Sequence, residues 1–146
     1  MFTTKNKSGM AMSVIMVFAM AFTMLVASAS SVFATQAYNF HFRVEAHQAN
    51  GHEPSPRYRG DVSPSNRWWV KLIKSGEGKG ALTDFWLEAR NGTNLSPSMR
   101  VQCGNGWYGQ RAYASASNRK VLLTAEDNTD KPSGYTVSGR WQTQDD

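Results

Sequence analysis

Between Tyr38 and Ala46 apolar and polar side chains alternate without a break. Tyr38, Phe40, Phe42, Val44 and Ala46 take one side of an extended chain; Asn39, His41, Arg43 and Glu45 take the other. A period of two excludes a helix, whose faces recur about every 3.6 residues. This is the pattern of a half-buried antiparallel strand, and it commits the chain to a second layer covering the apolar side.

The same period returns further on. Trp68, Val70 and Leu72 share one face, with Trp69, Lys71 and Ile73 on the other. Thr83, Phe85, Leu87 and Ala89 form an apolar face, backed by a charged one of Leu82, Asp84, Trp86, Glu88 and Arg90. The loop Ser75–Gly80 holds three glycines, which tolerate positive φ, so Arg67–Arg90 reads as an antiparallel hairpin. Met99–Cys103, Gln110–Ala116, Lys120–Ala125 and Tyr135–Trp141 read as further strands, and Pro56–Gly60 as a short edge strand. In the last strand Tyr135, Val137 and Trp141 face inward. Gln48–Asn66 is a long polar connection broken by Pro54, Pro56 and Pro64. No stretch after residue 34 holds a helical period. The expectation is an all-β fold, a small antiparallel β-sandwich of about 6–7 strands.

The front of the chain is different. Lys5 and Lys7 precede an apolar run from Met10 to Val26, and small residues lead to Val32-Phe33-Ala34. That is the layout of a secretory signal peptide. The expected cut follows Ala34, with Ala29 the second choice and an uncleaved membrane anchor the alternative. Residues 1–34 are thus expected to be a signal peptide and residues 35–146 a single secreted β domain, membrane-anchored if the peptide stays. Lys5 and Lys7 leave with the peptide, so the exported domain carries +3 where the full chain carries +5. That mild basicity permits attraction to anionic membranes or teichoic-type polymers. Without a Lys/Arg run there is no nucleic-acid footprint. Cys103 is the sole cysteine, which excludes an internal disulfide framework and leaves a small buried hydrophobe, an intermolecular disulfide or, least favoured, a catalytic thiolate.

Several segments occur in a familiar order: the signal peptide, Tyr38-Asn39-Phe40-His41-Phe42, Asn66-Arg67-Trp68, Gly76-Glu77-Gly78-Lys79-Gly80, Phe85-Trp86-Leu87 and Val137-Ser138-Gly139-Arg140-Trp141. In these the chain resembles an uncharacterised family of small secreted proteins of Gram-positive bacteria, classed as a domain of unknown function. The resemblance spans most of residues 35–146 and implies bacterial export and a β-rich fold. It brings no activity and no catalytic residue. A lesser likeness, to lactococcin-type bacteriocins, rests on size, the signal peptide and the glycine-plus-aromatic character.

Catalytic chemistry finds little footing. His41, His47 and His52, with Glu45 and Glu53, are plausible zinc donors by type but fit no metal spacing. Asp84 and Glu88 lie about 13 Å apart along one strand face, beyond the ~5–9.5 Å of a glycosidase pair. There is no G-x-S-x-G motif, and Gly76–Gly80 lacks the ending of a phosphate loop. No catalytic residue, cofactor or metal is therefore expected. The aromatics are the better lead: Trp69 and Trp86 on polar strand faces near Lys71 and Arg90, Trp107 and Tyr108 at a turn tip, and Tyr58 between Arg57 and Arg59. Rings of this kind offer contact area and the cations attract anions. The expected function is non-enzymatic binding of the bacterial cell envelope, cell wall or anionic membrane. A bacteriocin-like antimicrobial protein and, further off, a secreted hydrolase are the alternatives.

Overall fold

The computed structural model describes residues 36–60, 63, 65 and 66–145. The expected signal peptide and its cleavage site lie outside the described residues. Among the described residues nine strands follow in order: β1 (Tyr38–Val44), β2 (Gly51–His52), β3 (Arg57–Arg59), β4 (Arg67–Ser75), β5 (Leu82–Glu88), β6 (Met99–Gln102), β7 (Tyr108–Arg111), β8 (Arg119–Asp127) and β9 (Tyr135–Gln142). Sheet A has the order β1-β9-β4-β7. In sheet B the order is β2-β8-β5-β6, with β3 also paired to β8 beside β2. All pairings are antiparallel, and the fold is an all-β sandwich.

Alternation fills the space between the sheets. Sheet A sends in Phe40, Phe42 and Val44 from β1, Trp68, Val70 and Leu72 from β4, and Tyr135, Val137 and Trp141 from β9. Sheet B answers with Phe85 and Leu87, Val101, and Val121, Leu123 and Ala125. Phe40 and Phe85 meet edge to face across the layer, with ring centroids 5.8 Å apart. Burying side chains of this size stabilises a fold by about 1.5–3 kcal/mol each, and this core is what closes the sandwich.

The expected hairpin does not form. β4 pairs with β7 and β9 in sheet A, while β5 pairs with β6 and β8 in sheet B. The glycine-rich loop crosses from one sheet to the other. Stacked sheets lie ~10 Å apart against ~4.8 Å between neighbouring strands, and the loop's length suits the wider gap. It is fastened at both ends, by Gly76 N–H to the Thr136 carbonyl at 2.9 Å and Gly80 N–H to the Cys103 carbonyl at 3.0 Å. The expected strand Gln110–Ala116 is also shorter than its pattern. β7 ends at Arg111, and Ala114–Ala116 make a 3-10 turn. There the Tyr113 N–H turns aside to the Leu95 carbonyl at 2.8 Å.

The long polar connection supplies the expected short edge strand as β3 and one strand that was not expected, β2; the two line one edge of β8. Cys103 is a buried free thiol among the core residues.

Candidate functional site

The outer face of sheet A is assembled from four strands. Register places Lys71 directly opposite Arg140, which in turn faces Asn39. Trp69 lies opposite Gly109 on one side and Gln142 on the other. Arg67 lies opposite Arg111. A bulge interrupts β4 between Leu72 and Lys74, so Ile73 and Lys74 both emerge on the outside. Strict alternation would have driven Lys74 into the core beside Leu72; the extra residue spares the ammonium that burial.

Lys71, Lys74 and Arg140 have no ion-pair partner among the described residues. The acids at the margin of the face are already engaged. Glu45 pairs with Arg43 at 3.4 Å, and Asp145 accepts from the Arg67 backbone N–H at 2.9 Å and from the Trp69 indole. The Trp69 ring lies over β7: a Cβ added at Gly109 would stand 2.6–2.8 Å from three of its carbons. Gly109 is therefore the seat of the ring, held flat along the sheet by Asp145 and half-buried. Trp107, one residue before β7, is 39% exposed and by alternation falls on the side of Gly109.

The remaining site residues expected from sequence lie elsewhere. Tyr108 faces Val70 and packs against the core, its hydroxyl accepting from Asn105 at 3.0 Å. Arg57 stacks over the Tyr38 ring at 4.5 Å. Tyr58 is exposed, and its hydroxyl donates to Asn118 at 3.2 Å. Arg59 is buried, with its guanidinium on the Thr143 and Asn66 carbonyls. Burial pulls its pKa below the ordinary arginine value, against the opposing pull of Asp145. It ties the C-terminal segment to β3 and offers no charge to a ligand.

Trp86 and Arg90 belong to the opposite side of the molecule. Asp84, Trp86 and Glu88 point outward from sheet B, opposite Glu126, Thr124 and Leu122 of β8. Yet Trp86 and Glu88 are buried there. The Glu88 carboxylate accepts from the Trp86 indole at 2.9 Å, the Thr124 hydroxyl at 3.1 Å and the Asn50 amide at 3.3 Å. Asp84 holds Arg100 through two hydrogen bonds of 2.9 Å. Two cavities of about 340 and 330 Å³ flank this network, one beside Trp86 and the other beside Glu88. The sequence placed Trp69, Lys71, Trp86 and Arg90 in one binding set; the structure divides them between two faces and keeps Trp69 with Lys71.

The histidines do not converge. His41 is exposed on sheet A, His47 bonds Asp130 at 3.0 Å, and His52 sits in β2. Among the described residues no group of three or more His, Cys, Asp or Glu side chains is placed to hold a metal. Arg140 and Lys74, by contrast, join the basic face without having been singled out. The first needed the β4–β9 pairing and the second the bulge.

A family model described as "Protein of unknown function (DUF2712)" matches residues 30–145. No curated protein and no solved structure matches the chain.

Proposed function

The chain belongs to the DUF2712 family, and we propose that it is an exported, non-enzymatic domain that binds anionic polymer of the Gram-positive cell envelope through the outer face of sheet A. One observation carries the reading: Lys71 and Arg140 stand directly opposite each other, without an ion-pair partner among the described residues, beside an aromatic ring laid flat on the sheet. Like charges facing each other across strands destabilise a sheet. A polyanion reverses the sign of that term by neutralising both. The flat Trp69 favours an extended polymer over a bilayer, because a ring held by Asp145 and seated on Gly109 is not free to insert. Trp69 and Trp107 supply contact area, and Lys71, Lys74 and Arg140 the attraction. The N-terminal Lys5, Lys7 and the apolar run behind them support export.

The test is co-sedimentation of the purified protein with Gram-positive cell walls, and separately with anionic vesicles, at low and high salt. Exposed charges are screened beyond about 8 Å at physiological ionic strength, so wall binding is expected to weaken steeply with salt. Lys71→Glu and Arg140→Glu should each lower affinity about tenfold or more, since one cation near an anionic surface contributes about 1 kcal/mol and reversal doubles the change. Trp69→Ala should lower it less. Failure to bind walls at low salt, or indifference to charge reversal, would sink the proposal.

A further inference from the structure

The other face of the molecule has a different chemistry. The cavity of about 340 Å³ beside Trp86 is floored by sheet B and walled by the segment after Asn94 and by Tyr113. It lies at the small end of the ~300–1,000 Å³ of ligand sites. Its lining is polar side chains and aromatic rings together: Asn50, Asn94, Ser98 and Glu126 with Trp86 and Tyr113. Tyr113 is 49% exposed, a large ring left in solvent at the rim.

The hydrogen-bond inventory separates spent groups from unspent ones. Trp86 gives its N–H, and Asn50 its amide N–H, to Glu88. Among the described residues the side chains of Asn94, Ser98, Tyr113 and Glu126 make no hydrogen bond. One carboxyl group lines the cavity, Glu126, and its cross-strand neighbour Asp84 stands beside it on the sheet. Asp84 is committed to Arg100, and Glu126 is not. Burial, reinforced by the Asp84 charge, pushes the Glu126 carboxyl above its ordinary pKa. When protonated, such a group both donates and accepts.

These features exclude most ligand classes. An anion would meet Glu126 in the lining, with Asp84 next to it on the sheet. An apolar ligand would strand the unspent amide, hydroxyls and carboxyl, each of which loses its water without gaining a partner. A polyol ring satisfies them and presents a C–H face to the tyrosine. From this juxtaposition we infer that the cavity on the outer side of sheet B is a binding site for a neutral pyranose sugar. The site shares no residue with the basic face of sheet A, so each reading stands or falls alone.

The experiment is NMR titration of the purified, isotope-labelled protein with glucose, galactose and N-acetylglucosamine, and with methylamine as a cationic probe. At least one sugar should shift the Trp86 indole and the backbone amides of residues 94–98 and Tyr113, to the same extent at low and high salt. Tyr113→Ala and Asn94→Ala, both at exposed positions, should each weaken that sugar about fivefold or more, as the loss of one ring contact or hydrogen bond of about 1 kcal/mol requires. Trp69→Ala should leave it unchanged. Absence of shifts at about 100 mM of every sugar, a hundredfold above a ~1 mM Kd, would overturn the inference. So would shifts from methylamine alone, or sugar binding indifferent to both variants.

Discussion

Glu88 is the residue on which the outer side of sheet B turns. Its carboxylate collects two donors that would otherwise be buried without partners, the Trp86 indole and the Thr124 hydroxyl, and a third from the exposed Asn50 amide. Removing the acceptor leaves each of the two buried donors facing a cost of about 1–3 kcal/mol. Glu88→Ala is therefore expected to lower unfolding stability by about 3 kcal/mol or more in urea titration, whereas truncating the exposed Arg90 should change it by less than about 0.5 kcal/mol. A second residue reports on pH. The Tyr135 hydroxyl, bonded to Thr83 at 2.9 Å, is pushed up to about 12, first by burial, with Asp127, Glu77 and Asp84 adding to the rise. The folded state favours the neutral phenol, and the unfolded chain releases that proton near pH 10. The stabilisation is whole below about pH 10 and drains away as pH rises towards 12. Tyr135→Phe should lose about 1 kcal/mol at neutral pH and flatten the alkaline fall, read from urea midpoints at successive pH values. Alternation was enough to put Trp86 and Glu88 on the outer side of β5. It could not show that they are buried there, because the cover comes from segments outside the strand. Asn50 belongs to another connection, and Leu95 is one apolar side chain in a run of polar and turn residues. Its burial, with its N–H on the Leu87 carbonyl at 2.7 Å, fastens the segment that walls the cavity.

At the scale of elements, the strands were legible and their partners were not. β1, β4, β5 and β9 each show an apolar stripe of period two, which fixes which residues face the core. Pairing depends on the connections, and a glycine-rich loop reads the same whether it joins neighbours in a sheet or crosses between sheets. The β4 bulge was equally hidden, since Leu72-Ile73-Lys74 looks like a strand losing its pattern. The β4–β9 contact nevertheless has a sequence mark at Gly139. A Cβ there would lie 2.0 Å from the Lys71 carbonyl oxygen and 2.9 Å from the Phe40 ring. The carbonyl belongs to the ladder and cannot withdraw without parting the strands. Gly139→Ala is expected to cost at least about 3 kcal/mol by thermal or urea unfolding. Gly109→Ala meets the Trp69 ring first, a side chain and not the backbone of the ladder. It should cost less and announce itself as a change in tryptophan fluorescence.

Across the whole molecule the two sheets divide the work of the surface. Sheet A presents cations around a flat ring; sheet B presents amides, hydroxyls and carboxyls around a hollow. Neither is visible as a cluster in the sequence. Lys71 and Arg140 are far apart along the chain, and so are Asn50, Asn94 and Glu126; sheet register brings the first pair together, and two connecting segments laid against β8 and β5 assemble the second set. The β1–β9 register carries one more consequence. Tyr38, which opens the first strand, is the partner of Trp141, near the close of the last. The backbone therefore enters and leaves the sandwich side by side at a single corner. A short bridge could join those two points and new ends could be cut at the exposed Asn91-Gly92 turn, giving a circularly permuted chain with the same layers. The same geometry sets the mechanics. A pull on the two ends would peel β1 from β9 one hydrogen bond at a time, so the domain yields as a zipper does and does not resist as a bolt would.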